Sequence, residues 1–183
     1  MEQEINLATE ALLRRGTILY PTDTIWGIGC DARNAEAVER IYAIKQRDHT
    51  KSMLVLVSDA LTLPHDGNDI RPTTYILPKE IWFPLLGDTI APNLPATDGS
   101  LGIRIPKHTF CQAIIQRLGA PLVSTSANLS GHPSPQSYED IEEELKHRVD
   151  YCVKPLPQFR STEICGSRIV KLAPDGSETI IRP

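Results

Sequence analysis

Three short clusters hold most of the side chains able to do chemistry. The first, Thr22-Asp23-Thr24, follows Tyr20-Pro21 and runs on into Ile25-Trp26-Gly27-Ile28-Gly29. Two hydroxyls flanking a carboxylate suit a side-chain-stapled turn, and the glycines permit close approach of another backbone or of a ligand. The second is Lys45-Gln46-Arg47, with Lys51 just beyond. Cations at a helix end sit well against the negative end of the dipole. The same three also suit one polyanion, the lysines as point charges and the arginine as a fork. The third is Ser124-Thr125-Ser126-Ala127-Asn128-Leu129-Ser130-Gly131, with four hydroxyls and one amide in eight residues. Such a density of small donors and acceptors suits a grip on phosphate or carboxylate oxygens. No Gly-rich loop ending in Gly-Lys-Ser/Thr is present, Gly27-Ile28-Gly29 lacks the third glycine of a dinucleotide fingerprint, and no serine sits in a nucleophile elbow.

Each cluster must be placed by the elements beside it. Ile5, Ala8 and Leu12 have helical spacing, with Gly16 as a stop. Thr17–Tyr20 reads as a buried strand delivering Pro21–Thr24. Asn34 caps a helix with Val38, Ile41 and Tyr42 on one face, and Lys45 continues that face. Residues 53–57 form a short apolar run, a strand covered on both sides, and residues 58–73 read as a loop. Residues 102–106 are a strand ending at proline. A helix from about Thr109 to Leu118 stops at Gly119, and residues 121–125 are the strand that launches the third cluster. Ser137 with Asp140 resembles a capping box for a helix to about His147. Residues 169–172 and 179–182 around Pro174-Asp175-Gly176 read as a hairpin. The alternation predicts one α/β (α+β-like) domain over residues 1–183, three-layered with a twisted mixed sheet.

Composition narrows the function classes. The chain has 183 residues, 40% hydrophobic and 23% charged, enough for a core without staples. With 19 basic and 23 acidic residues the net charge is −4, so a binding site for anions has to be local. Only 5% of residues are aromatic, which disfavours a base-stacking nucleic-acid surface. Cysteines 30, 111, 152 and 165 form no CxxC pair, and the five histidines are scattered. Reduced buried thiols, no metal site and a cytoplasmic location are expected. The acidic start and the lack of a long apolar stretch predict neither signal peptide nor membrane span.

Taken together, YPTDTIWGIG (20–29), KQR (45–47), DGSLGIRIP (98–106), STSANLSG (124–131), Ser161-Thr162 and IIRP (180–183) resemble the YrdC-like threonylcarbamoyl-adenylate synthase family in its short form. The resemblance spans essentially the whole chain and implies a twisted mixed sheet around a deep basic cleft. It implies the synthesis of L-threonylcarbamoyladenylate and pyrophosphate from L-threonine, bicarbonate or CO2, and ATP, with Mg²⁺ carried by the nucleotide. The product would serve N6-threonylcarbamoyladenosine formation in tRNA, through a separate transfer complex. By position, Thr24, Arg104, Ser124 and Ser161 fall on the threonine side. Lys45 and Arg47 are the catalytic pair at the phosphates, and Lys51, Ser100, Ser126, Asn128, Ser134 and Arg182 fall on the nucleotide side. The chain departs from the family pattern at Asp48, Ser52, Arg160 and Glu163, and is short over residues 58–74. The alternative is a paralogue of this fold that binds double-stranded RNA, tRNA or nucleotide without the activity.

Overall fold

The computed structural model describes residues 1–48, 53–61, 63, 71–159 and 165–183. Helix α1, Glu2–Leu13, buries Ile5, Ala8 and Leu12 on one face. It ends where Arg15 takes a left-handed φ of 63°. Strand β1, Thr17–Tyr20, is buried at all four positions. Strand β2, Gly27–Cys30, returns antiparallel to it, with Leu19 opposite Ile28. The Asn34 Oδ1 then accepts the N–H groups of Glu36 and Ala37 at 3.1 and 3.2 Å, starting helix α2, Ala35–Lys45. Such a cap contributes about 1 kcal/mol.

The remaining elements are β3 (Leu54–Leu56), β4 (Thr73–Leu77), α3 (Lys79–Leu86), β5 (Leu101–Arg104), α4 (Thr109–Leu118), β6 (Leu122–Ser126), α5 (Glu143–Arg148), β7 (Tyr151–Cys152), β8 (Arg168–Leu172) and β9 (Glu178–Arg182). The strands form one mixed sheet in the order β7-β1-β2-β6-β3-β5-β4-β8-β9. β1/β7, β3/β5 and β4/β8 are parallel, and the other neighbours are antiparallel. Ile18, Leu19, Ile28, Val55, Leu56, Leu101, Ile103, Leu122 and Val123 are fully buried at the sheet's centre. Each such side chain contributes about 1.5–3 kcal/mol by leaving water. Helix α1 packs on α4 and on β1, and α2 packs on β2.

One expectation about an element needs correction. Ser137 and Asp140 do meet, with both the N–H and the hydroxyl of Ser137 donating to Asp140 Oδ2 at 2.9 and 3.0 Å. The hydroxyl is thus spent on the carboxylate and does not cap a helical N–H. The two residues close a turn, and α5 begins only at Glu143.

Gly29 sits where β2 presses on its neighbours. A Cβ there would lie 2.2 Å from the Val123 carbonyl oxygen and 2.8 Å from the Tyr20 ring. Gly29→Ala must therefore push strand backbones apart, and is expected to cost about 1–3 kcal/mol by overpacking. Chemical denaturation checks this, and an unchanged midpoint would contradict the contact.

Candidate active site

Sheet register builds the floor of a cleft. Leu54 stands opposite Ser124 on one side and Gly102 on the other, and Gly102 stands opposite Ile76. Gly27 pairs with Ser126, and Thr74 with Ile169. Partners in register share a face of the pleat. All of these residues line a cleft of about 330 Å³, together with Thr22, Thr24, Trp26, Arg47, Arg104, Ser134, Ser167 and Arg182. Small residues at 27, 102, 124 and 126 keep the floor low.

The rim over β1 is a turn laced by its own hydroxyls. Thr22 Oγ1 receives the N–H of Thr24 at 3.0 Å, lies 3.0 Å from Thr24 Oγ1 and donates to Ile25 O at 2.8 Å. Arg104 ends β5 directly beneath. It is 3% exposed, and its Nη1 donates to Thr24 Oγ1 at 3.3 Å. Its Nη2 lies 3.3 Å from Asp23 Oδ1. The opposite wall comes from β8 and β9. Arg182 Nε donates to Ser167 O at 2.7 Å, its guanidinium lies over Gly166, and Ser167 Oγ meets Thr74 Oγ1 at 2.7 Å. Burial and the Arg104 charge together pull Arg182 below its ordinary value.

The Lys-Gln-Arg cluster divides. Gln46 takes a left-handed φ of 50° as the C-cap of α2, which swings the chain after it. Arg47 lies in the cleft and is pulled below its ordinary value by burial. Lys45 does not line the cleft, contrary to the expectation that both face phosphate. It is 1% exposed, on the same helical face as Val38, Ile41 and Tyr42. Its Nζ donates to Ser126 O at 2.5 Å, Asn128 O at 2.7 Å and Asn128 Oδ1 at 3.3 Å. Burial, then the Arg47 charge, bring it down to about 7. The side chain is a pin beneath the 126–130 loop, because its donors are taken up by that loop's oxygens.

Asn128 also serves the loop. Its Nδ2 donates to His132 O at 2.6 Å, while the N–H of Ala127 reaches Trp26 O at 2.9 Å and that of Ser130 reaches Lys45 O at 2.9 Å. Asn128 and Ser100 are not among the residues lining the cleft. The Ser100 hydroxyl donates to Asp98 Oδ1 at 2.6 Å, shaping the turn into β5. Of the expected site residues, Thr24, Arg47, Arg104, Ser124, Ser126, Ser134 and Arg182 converge. Lys51 and Ser161 lie outside the described residues, as do Ser52, Arg160 and Glu163. Thr74 and Ser167, both buried in the cleft's lining, were not anticipated.

The cleft is locally basic in an acidic protein. Arg47, Arg104 and Arg182 line it, and no carboxylate does so among the described residues. Among those residues no group of three or more His, Cys, Asp or Glu is placed to hold a metal. A second cavity of about 380 Å³ lies across the Thr22–Trp26 segment, lined by Tyr138, Leu156, Phe159 and three prolines.

Comparison with known proteins places these features in a family. The Sua5/YciO/YrdC family model, described as "Telomere recombination", matches residues 10–183. A threonylcarbamoyl-AMP synthase of Xanthomonas campestris pv. campestris is 36% identical over 165 residues, which is 80% of this chain and 83% of that one. One from Bacillus subtilis is 32% identical over 147 residues, 76% of this chain but 42% of that one. P. abyssi Sua5 complexed with L-threonine superimposes with a TM-score of 0.79 at 20% identity, covering 100% of this chain and 54% of that chain. E. coli YciO gives 0.70 at 24%, covering 100% and 89%. The two structures share this fold, the family model matches nearly the whole chain, and the chain belongs to the Sua5/YciO/YrdC family.

Proposed function

We propose that the cleft makes L-threonylcarbamoyladenylate and pyrophosphate from L-threonine, bicarbonate or CO2, and ATP. One observation carries the reading: three arginines and a row of hydroxyls meet over one face of the sheet with no carboxylate among the described lining residues. The naming of relatives over 30% identical as threonylcarbamoyl-AMP synthases supports it, as does the L-threonine held by the P. abyssi protein of this fold.

The neutral threonine amine adds to CO2 and gives up a proton to solvent, or condenses with bicarbonate and releases water, to give a carbamate. A carbamate oxygen then attacks the α-phosphorus of ATP, and the bond to the β-phosphate oxygen breaks to release pyrophosphate. No protein nucleophile is required, so the protein contributes by positioning and by stabilising charge. Arg47 and Arg182 meet the phosphates, with the Ser126 and Ser134 hydroxyls orienting the adenylate. Thr24, Arg104 and Ser124 hold the threonine, Ser161 falls on the same side by sequence, and Lys51 on the nucleotide side. Lys45 and Asn128 act by holding the loop that carries Ser126. Mg²⁺ enters with the triphosphate, since the cleft's described lining has no carboxylate to hold the ion. The work is cytoplasmic, where the product meets tRNA and the complex that transfers the threonylcarbamoyl group.

Pyrophosphate release with each component omitted in turn, beside mass detection of the adenylate, tests the reading. Release is expected only with ATP, threonine and bicarbonate together. Serine is expected to serve about tenfold or more less well, because it leaves the methyl's space unfilled. Equal release without threonine would mean plain ATP hydrolysis. No release, with tight RNA binding at moderate salt, would mean a non-catalytic RNA binder.

A further inference from the structure

Asp23 stands between the two threonines of the rim turn, and nothing in the proposed chemistry uses it. Its carboxylate is nearly buried, 8% exposed, and faces the Arg104 guanidinium across 3.3 Å. Oδ2 is tied down by the backbone N–H of Lys107 at 3.0 Å, just past the end of β5. The carboxylate is therefore fixed from the strand that carries Arg104. Arg104 is held at two points, Thr24 Oγ1 and Asp23, while its buried Nε has no acceptor among the described residues. Arg182 differs, its guanidinium being held by the carbonyl and hydroxyl oxygens of Ser167. A buried donor without a partner in a native fold calls for an explanation such as a ligand.

We propose that Asp23 is a positioning residue that fixes the Arg104 guanidinium at the threonine end of the cleft and offsets its charge, so that this end takes the single carboxylate of an amino acid while polyphosphate is drawn to the other arginines. The inference rests on the synthase reading. A guanidinium already paired with a carboxylate presents little net charge to a polyanion. It still offers directed N–H groups to a planar carboxylate, for which orientation decides the fit. The like charges of Arg104 and Arg182 also repel less with Asp23 in place.

The test measures L-threonine and ATP binding by calorimetry, each alone, to the wild type, Asp23→Asn, Arg104→Gln and the double variant. In D23N, threonine binding is expected to weaken about tenfold or more, and ATP binding to stay within about twofold or tighten. In the R104Q background the same change is expected to alter threonine binding less than about twofold, since Asp23 acts through Arg104. If D23N does not fold, Asp23→Glu keeps the charge while displacing it by one methylene, and the same threonine-selective loss is expected. Unchanged threonine binding in the Asp23 variant, parallel weakening of both ligands, or a full effect without Arg104 would overturn the proposal. A wild-type protein that binds no L-threonine would overturn the synthase reading and this inference with it.

Discussion

Arg47→Gln is expected to lower kcat/KM for ATP about a hundredfold, the loss of one or two charge-assisted hydrogen bonds, as its main effect. Arg47 lies in the cleft where burial disfavours its charge. Its cation also helps bring Lys45 down to about 7. Two cations packed at the end of one helix oppose each other, and glutamine removes that opposition while keeping most of the side-chain volume. Strained electrostatics of this kind marks sites kept for binding rather than for folding. Pyrophosphate-release kinetics and urea midpoints, measured on the same preparations, decide it. A destabilised variant with normal ATP kinetics would make Arg47 a structural residue.

Lys45→Met is expected to behave in the opposite way, losing stability first and ATP use as a consequence. It leaves the carbonyls of Ser126 and Asn128 without the ammonium that joins them. At about 1–3 kcal/mol per orphaned buried acceptor, a loss of about 2–6 kcal/mol follows. The loop carrying Ser126 then relaxes, and ATP binding weakens about tenfold as its oriented donor is lost. Proton linkage supplies a second readout. The folded-state value of about 7 lies below the ordinary 10.5. Between those values the unfolded chain holds a proton that the folded one releases. Lys45 therefore contributes stability that grows as pH rises from about 7 toward 10.5, a contribution the methionine variant lacks. Denaturation at pH 7 and pH 9 measures the difference. A variant of full stability that fails only in ATP binding would return Lys45 to the phosphates.

The contrast between these two residues shows what sequence reading reached and where it stopped. Helical periodicity already placed Lys45 on the face of Val38, Ile41 and Tyr42, which is the buried face. The charge pattern suggested a shared clamp, because a left-handed Gln46 is not visible in residue types. The strands with apolar runs, β1, β3, β5 and β6, and the β8/β9 hairpin were legible. β2 was not, since Gly27-Ile28-Gly29 has only one side chain of any size to declare a pattern. α3 was hidden by Pro84, which sits inside the helix. The site's floor was legible only as motifs: the register that sets Ser124, Leu54 and Gly102 side by side joins strands about 50 residues apart or farther in sequence. Short-range spacing carries no trace of such pairings.

β9 is an edge strand of the sheet and is exposed at all five positions, with Ile180 and Ile181 more than half in water. It nevertheless carries Arg182, one of the cleft's three arginines. The element that completes the anion site is thus the one least held by packing, bound through the β8 ladder and the guanidinium's bonds to Ser167. Strands of this kind fray at the low end of a fold's free-energy scale. One wall of the cleft thus rests on a strand ladder more than on packing, and an anion that engages Arg182 would stitch the hem of the sheet as it binds.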